Sequence, residues 1–392
     1  MILGTEIKRK LTRTRDGHPR RGLLRNCWLA GVVLGVSDAF AFDIVNSMFV
    51  VSSKSANVEI VDMRNDKPSG GFVLPAYADM AALSEQERKL VTANRSAKAL
   101  VVTPVDNLSA TAIIGLDFAP EKMLLDGNGR MLAVGNAERG VIQLFDLRDN
   151  RKLRRFAGLN APAFFIFDKD GEVLFVVDRD ATTLSVLDLK EGRTTQKIPL
   201  RTDGNPASDS VQGLLKTPGG RYGFVMHGKS GYMSVVDLHA RKLISNVMLE
   251  GPALKAYPTA NSQYLIMPNG EDATISLLST WSLSEIARLK GLHDVKSVTI
   301  ALLDKVAVVV SGAQRRAIAF DVDTRRLLAS FRLDGVPVDS AISPDGTKVY
   351  VALQDSGIAV IDIMSLRITQ TISGVGGHPV NLVTARASSY CH

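Results

Sequence analysis

The sequence predicts an all-β fold in which four-stranded antiparallel units repeat along the chain and close into a ring. Three observations predict it. A short apolar segment ending in a polar residue, most often Asp, recurs eight times at spacings of 41–43 residues, with one spacing of 49. Each recurrence follows a second apolar run and often a turn sequence such as "SPDG" or "DKDG". The chain also ends on one strand-like segment that no further unit follows. Four short strands per 40–45 residues are typical of a β-propeller, in which each repeat forms one blade.

The recurring polar residue ends the third strand of each unit, where the four strands are named A to D. Its eight positions are Asp62, Thr103, Asp146, Asp188, Asp237, Ser279, Asp321 and Asp362. A side-chain oxygen at the end of a strand can accept backbone N–H groups of the turn that follows. We therefore predict a structural role for this row. It is not a metal site, because successive members belong to different blades.

The eight recurring polar residues predict eight blades in a single domain over residues 42–392. The first unit begins at its strand B, since its strand A would fall within the N-terminal segment. The terminal segment "HPVNLVTAR", residues 378–386, is then expected to pair with the strand near Phe49 and complete the first blade. Such closure leaves no exposed sheet edge. Seven blades is the alternative, if the weakest copy, residues 76–116, is an insertion.

The N-terminal segment, residues 1–41, has the pattern of a secretory signal peptide. A basic region precedes the apolar run "CWLAGVVLGV", and small residues at Ala39 and Ala41 predict cleavage after Ala41. The run is shorter than the roughly 20 residues of a membrane span. "RRGLLR" resembles the twin-arginine export motif, although Pro19 replaces the usual Ser or Thr, so the export route stays open. The expected location is periplasmic or secreted, without stable membrane insertion after cleavage.

The charge distribution does not favour nucleic acid as a partner. The formal net charge is +7, but residues 1–41 hold eight basic and three acidic residues and so supply +5 of it. The remaining body is nearly neutral, so it has no strong electrostatic attraction for a polyanion. The expected partner is instead a protein or a small ligand.

The final repeat, "SPDGTKVYVALQDSGIAVIDIMSLRITQTI", resembles the YVTN-type β-propeller repeat, with Val-Tyr-Val-Ala in the diagnostic place. The resemblance covers essentially the whole mature chain. It implies the propeller fold and a place among periplasmic and surface propellers. More distantly, it implies kinship with the haem-binding propeller of nitrite reductase and the large subunits of periplasmic amine dehydrogenases. A fold shared so widely does not name an activity.

The B–C loops and D–A connections should meet at one face of the ring, around the mouth of the central channel, and ligands are expected there. The residues that we predict to form a site on this loop face are His227, His293, His378, Arg139, Arg179, Arg315 and Lys229. Alternatively, the basic residues of this set are solvent-exposed loop charges that do not form a binding site. His293 and His378 both stand at the entry to a strand A. With His227 they could ligate a metal or a haem iron, although different blades supply them.

Three functional hypotheses follow from the sequence. The first is a non-enzymatic propeller that binds a partner through its loop face. The second is a redox protein, or a redox-enzyme subunit, that holds a haem or quinone cofactor at the channel. A lactone hydrolase is the third. The sequence has no Cys-x-x-Cys-His motif for covalent haem, no His-Glu-x-x-His zinc motif and no Gly-x-Ser-x-Gly nucleophile elbow. No catalytic residue is therefore predicted.

Overall fold

A computed structural model describes residues 42–200, 210–228, 230–252, 254–269, 271–354, 356–375 and 379–385. These residues form eight four-stranded antiparallel sheets arranged as the blades of a propeller. The eight-bladed prediction is confirmed. Residues 76–116 form a regular second blade and not an insertion. The signal-like segment 1–41 lies outside the described residues.

The first four blades contain the strands β1 Ser47–Ser52, β2 Asn57–Asp62, β3 Lys67–Val73; β4 Met80–Ser84, β5 Lys89–Asn94, β6 Ala99–Pro104, β7 Ala112–Gly115; β8 Lys122–Leu125, β9 Met131–Asn136, β10 Val141–Asp146, β11 Arg151–Phe156; and β12 Pro162–Phe167, β13 Val173–Asp178, β14 Thr183–Asp188, β15 Arg193–Pro199. A 3-10 turn, Leu108–Ala110, precedes β7.

The last four blades contain the strands β16 Gly213–Lys216, β17 Tyr222–His227, β18 Tyr232–Asp237, β19 Lys242–Met248; β20 Tyr257–Pro258, β21 Tyr264–Asn269, β22 Thr274–Ser279, β23 Ser284–Lys290; β24 Val295–Ala301, β25 Val306–Ser311, β26 Arg316–Asp321, β27 Leu327–Arg332; and β28 Val336–Ile342, β29 Lys348–Gln354, β30 Gly357–Asp362, β31 Arg367–Ile372. The final strand is β32, Pro379–Val383.

The ring closes with a strand from each end of the chain, as predicted. β32 pairs antiparallel with β1, and Phe49 lies opposite Val383. Blade 1 therefore has the order β3-β2-β1-β32, with the terminal strand in the innermost place. On the neighbouring blade, Lys348 and Tyr350 both contact the carboxylate of Asp66, at 2.7 Å and 2.5 Å. These contacts attach the last blade to the first.

The hydrophobic core lies between blades. The described residues form eight apolar clusters, and each cluster joins two neighbouring blades. Strand β25 shows how this works, because Val308 and Val310 pack toward blade 8 while Ala307 and Val309 pack toward blade 6. A strand buried on both faces needs a continuous apolar run, and the B and C strands have one.

The predicted role of the recurring aspartates is confirmed. Asp362 Oδ1 accepts the backbone N–H of Ser365 at 2.7 Å, and Asp188 Oδ1 accepts that of Lys190 at 2.9 Å. The hydrogen bonds to the turn, from side chain and backbone of Ser365, hold the pKa of Asp362 below its usual range. Where Ser279 replaces aspartate, its hydroxyl accepts the turn N–H at 3.3 Å. These side chains hold the turns that follow strand C.

Candidate functional site: the loop face of the propeller

The innermost strand of each blade is its strand A, which in blade 1 is the final strand β32, and these strands pack against one another around the channel. β28 contacts both β24 and β32, and β12 contacts β8 and β16. Each of these strands enters the blade from the D–A connection. The D–A connections and the B–C turns therefore share one face, which is called the loop face below.

The last residue of each strand B caps the B–C turn on this face. Asn136 Oδ1 accepts the backbone N–H of Arg139 at 2.7 Å, and its amide donates to the carbonyl of Ala119 at 2.8 Å in the preceding D–A connection. One side chain thus ties two loops together. The corresponding residues in the other blades include Ser52, Asn94, Asp178, His227, Asn269 and Ser311. The hydrogen bonds of the turn therefore favour a polar side chain at this position, whether or not a ligand binds nearby.

His227 occupies this capping position in blade 5 and is completely buried. Its Nε2 lies 2.8 Å from the hydroxyl of Ser234, and its ring stacks on Tyr232 with a centroid separation of 4.0 Å. The structure therefore places the imidazole inside the blade, at the edge of the core. Its role as a ligand stays a prediction.

His293 and Arg315 come together on the loop face at blade 7. His293 is exposed, and its backbone N–H donates to Gln314 Oε1 at 3.1 Å. Its carbonyl accepts the hydroxyl of Ser311 at 2.6 Å, so the D–A connection and the B–C turn form one unit. The histidine thus lies directly beside the loop that carries Arg315.

The remaining predicted site residues are dispersed. Arg139 and Arg179 are exposed on the B–C turns of blades 3 and 4. The backbone of Arg179 joins neighbouring loops, since its N–H donates to Ala161 and its carbonyl accepts from Val211. Lys229 and His378 lie outside the described residues.

A pocket of about 360 Å³ lies at the outer part of the loop face on blade 7. It is lined by Gln314, Arg315, Arg316, Arg332, Leu333 and Asp334. Three guanidinium groups thus surround one depression, with a single carboxylate among its lining residues. We call this the arginine pocket.

The strand register brings two of these arginines directly opposite each other. Arg316 begins β26, Arg332 ends β27, and the two are cross-strand partners. Arg315 precedes them in a left-handed conformation, with φ of 45°, and its carbonyl accepts the N–H of Leu333 at 2.9 Å. Like charges in directly opposed positions destabilise a sheet. Within the described part of the chain, no carboxylate oxygen lies within 4.0 Å of the guanidinium nitrogens of these three arginines.

Sequence reasoning identified Arg315 and missed the importance of Arg316 and Arg332. The two residues are 16 positions apart, and no motif links them. The signal that could have found them is the hairpin itself, since pairing strands C and D predicts that the first residue of one faces the last of the other. A scan for like charges in that relation would have pointed to blade 7.

Neither a metal cluster nor a membrane span is found in the described residues. No group of three or more His, Cys, Asp and Glu side chains there is arranged to hold a metal ion. No helix in that part of the chain is both long and apolar enough to cross a lipid bilayer.

No family model and no curated protein matches the chain. Its structure is similar to dihydro-heme d1 dehydrogenase NirN in complex with DHE, with a TM-score of 0.71 and 18% identity over 86% of this chain and 75% of that one. It is also similar to hydrazine synthase of Kuenenia stuttgartiensis, with a TM-score of 0.54 and 15% identity over 74% of this chain and 99% of that one. A chain of the mitotic checkpoint complex gives a TM-score of 0.56 and 16% identity over 71% and 84% of the two chains. At these identities the likeness concerns the fold alone, and the fold is that of an eight-bladed β-propeller.

Proposed function

We propose that this protein is an exported, non-enzymatic propeller of the YVTN type that binds an anionic group of a protein partner or small ligand through its loop face. The observation that carries the proposal is the opposed pair Arg316 and Arg332 in the arginine pocket. The pair costs folding free energy when nothing lies between the two charges. A carboxylate or phosphate group bound there would turn that repulsion into attraction.

The chemistry of arginine fits this role. A guanidinium offers parallel N–H donors that match the two oxygens of a carboxylate or phosphate group. The side chains of Arg315, Arg316 and Arg332 are exposed, so each ion pair would contribute about 1 kcal/mol or less. Because −4.1 kcal/mol corresponds to a Kd of about 1 mM, a small anion alone would bind weakly. A tight partner must add contacts elsewhere on the loop face.

The test is a titration of the mature protein with citrate at constant ionic strength, followed through the arginine Nε–Hε signals in NMR spectra. We expect saturable shifts for Arg315, Arg316 and Arg332. The double variant R316Q/R332Q should lose the shift of Arg315. Arg326 and Arg367, exposed on the opposite face, are the matched controls. Equal shifts at these controls would show non-specific binding and would contradict the proposal.

The proposal that the protein is exported depends on residues 1–41, which have the sequence pattern of a signal peptide. We propose removal of this segment after Ala41 and a periplasmic location. Mass spectrometry of the protein recovered from the periplasm should give a chain that begins at Phe42. Recovery of an intact N-terminal segment there would contradict the cleavage.

A redox role is the second candidate, and the fold similarity to dihydro-heme d1 dehydrogenase NirN is what supports it. His293 is exposed on the loop face and could supply one axial ligand to a haem iron. His227 fits poorly, because it is buried against Tyr232 and Ser234. An absorbance spectrum of protein purified from its native periplasm separates the candidates, since a Soret or quinone band would favour the redox role.

A further inference from the structure

Three large apolar side chains are exposed on the face of the propeller that lies opposite the loop face. This opposite face carries the turns between strands A and B and between strands C and D of each blade. Trp281 and Met364 lie in the C–D turns of blades 6 and 8 and are 95% and 71% exposed. Leu303 lies in the A–B turn of blade 7 and is 97% exposed. We call these three residues the apolar tips.

Hydrogen bonds bring two of the apolar tips to the same turn of blade 6, residues 259–263. Asp304, which follows Leu303, accepts two backbone N–H groups of this turn at 2.7 Å each. Thr280, which precedes Trp281, donates its hydroxyl to a backbone carbonyl of the same turn at 2.5 Å. Trp281 and Leu303 therefore flank one short turn, although they belong to different blades.

The turn of blade 7 is joined in the same way to blade 8, which carries the third apolar tip. The N–H of Leu302 donates to the carbonyl of Gly346 at 3.0 Å, in the A–B turn of blade 8. That turn is in turn bound to the C–D turn, because the N–H of Ile363 donates to the carbonyl of Thr347 at 2.9 Å. Ile363 directly precedes Met364. The turns that carry the apolar tips thus form one connected surface across blades 6, 7 and 8.

The recurring units show that an apolar side chain is not required at these turns. Trp281 and Met364 are each the second residue after the polar residue that ends strand C. The residues at that position in five other blades are Arg64, Arg148, Lys190, His239 and Asp323. All five are polar and exposed, whereas Val105 of blade 2 is buried. Turn geometry and packing within the blade therefore do not explain an exposed Trp or Met there.

Leu303 is exposed in a conformation that leucine disfavours. Its φ is 52°, and Leu302 and Asp304 on either side also have positive φ, at 49° and 72°. A left-handed backbone at a residue other than glycine costs free energy, and such strain is concentrated at functional positions. In a single copy of the protein, the Leu303 side chain gains no burial in return. Contact with a partner would bury it.

The charges around the apolar tips are of both signs. The charged residues in the turns of blades 7 and 8 on this face are Lys305, Arg325, Arg326, Asp304, Asp321, Asp323, Asp345 and Asp362. The cations do not outnumber the carboxylates, so this surface does not attract an anionic lipid layer or a strongly acidic partner. A surface with both signs is instead complementary to itself. In a two-fold contact, the cations of one copy can lie against the carboxylates of the other.

We propose that the apolar tips bind a second copy of this chain, so that two propellers associate through their opposite faces. Contiguous exposed apolar residues mark interaction sites, and Trp, Met and Arg are enriched in protein interfaces. The hydrogen bonds between the turns fix the apolar tips before association, which lowers the entropy cost of binding. The loop face of each copy stays free, so this contact is independent of the proposed function.

Sedimentation velocity of the mature chain at increasing concentration measures the association directly. Trp281 provides a second measurement, because Trp28 lies in the segment 1–41 and the mature chain has no other tryptophan. We expect a monomer–dimer equilibrium. The fluorescence emission of Trp281 should shift to shorter wavelength along the same concentration curve, since dimerisation removes its side chain from water.

The decisive variant is W281S/L303N/M364S, and we expect its dimer to dissociate at least about tenfold more readily. Serine and asparagine are common in turns, and the apolar tips are exposed, so the variant should fold, which circular dichroism checks. The matched control is V73S/M248S. It removes two apolar side chains that are 72% and 63% exposed at the loop-face ends of β3 and β19, and it should dimerise like the wild type.

Two further arms make the outcome unambiguous. The variant R316Q/R332Q should dimerise unchanged, so failure of the arginine pocket and failure of this contact can be told apart. Vesicles of phosphatidylglycerol test the alternative that the apolar tips contact lipid. A wild-type chain that stays monomeric at every concentration, with or without a Trp281 emission shift on these vesicles, would overturn the proposal. So would equal dimer affinity in the wild type and the triple variant.

Discussion

At the scale of single residues, Asp339 is the group whose titration the structure sets most clearly. Burial raises its pKa from 3.8 to about 6, although two backbone N–H groups and Lys255 act in the opposite direction. The hydroxyls of Ser297 and Thr299 on β24 lie 2.7 Å and 2.6 Å from the hydroxyl of Ser340, which follows Asp339 on β28. These hydroxyls carry no charge, so Lys255 is the charged residue that acts on Asp339.

The sign of the resulting pH effect follows from linkage. A carboxyl group whose pKa is raised in the folded state binds its proton more tightly there than in the unfolded chain. Its contribution to stability is complete below pH 3.8 and is lost as the pH rises through about 6. The shift corresponds to at most about 3 kcal/mol, at 1.36 kcal/mol per pH unit.

We therefore predict that lowering the pH from 7 to 5 stabilises the wild-type protein relative to D339N. The asparagine has no proton to gain, so its stability lacks this component. Urea unfolding of both proteins at the two pH values measures the difference. Other buried carboxyl groups affect both proteins equally and cancel. An identical pH response in the two proteins would contradict the assignment.

At the scale of one element, the hairpin turn between β24 and β25 departs from the chemistry of its counterparts. Leu302, Leu303 and Asp304 all have positive φ, at 49°, 52° and 72°. The N–H of Lys305 donates to the carbonyl of Leu302 at 3.2 Å, which closes a tight turn around the central pair. Such turns favour Asn and Gly, because a left-handed conformation costs other residues about 1–2 kcal/mol. Leu303 is also 97% exposed, so it gains nothing from packing.

The substitution Leu303→Asn should stabilise the protein by about 1 kcal/mol, because asparagine tolerates positive φ. Asp304 is left unchanged, since its carboxylate accepts the N–H groups of Ala260 and Asn261 at 2.7 Å each in the turn of the preceding blade. The shift of the urea midpoint measures the effect. Leu303→Val is the matched control and should destabilise, because a β-branched residue resists this conformation. A lower midpoint for the asparagine variant would argue against strain at this turn.

At the scale of the whole molecule, stability depends on closure by β32. This strand pairs with β1, and Leu382 packs in the apolar cluster between blades 8 and 1. The N–H of Leu382 also donates to Asp339 on blade 8. The terminal strand therefore joins blade 1 to blade 8 by backbone, side-chain and apolar contacts at once.

Deletion of residues 378–392 should prevent folding. It removes the innermost strand of one blade, exposes an edge of β1 and opens the ring, whereas a domain's total stability is only about 5–15 kcal/mol. Far-UV circular dichroism and thermal unfolding measure the result. A shorter deletion, residues 387–392, leaves β32 intact and should behave like the full chain. A cooperative, unshifted unfolding transition in the longer deletion would contradict this account of closure.

The sequence by itself determined the four-strand unit, the closing strand and the turn-holding role of the aspartates such as Asp362, and it favoured eight blades over seven. Each of these depends on features that repeat with the period of one blade, or on a count of strands from the chain ends. Turn residues and apolar runs can be recognised in the sequence of each repeat, so predicting these features did not require the tertiary structure.

Only the tertiary structure decided which side chains meet. The opposition of Arg316 and Arg332 depends on hairpin register, and the contact of the Lys122 ammonium with the Phe164 ring depends on bringing blades 3 and 4 side by side. The burial of His227 depends on its packing against Tyr232 and Ser234 within blade 5. The repeat pattern describes each blade separately, whereas these arrangements arise from pairing and ring closure. The physical reason is that electrostatic interaction and desolvation depend on distances in space, which a one-dimensional period does not contain.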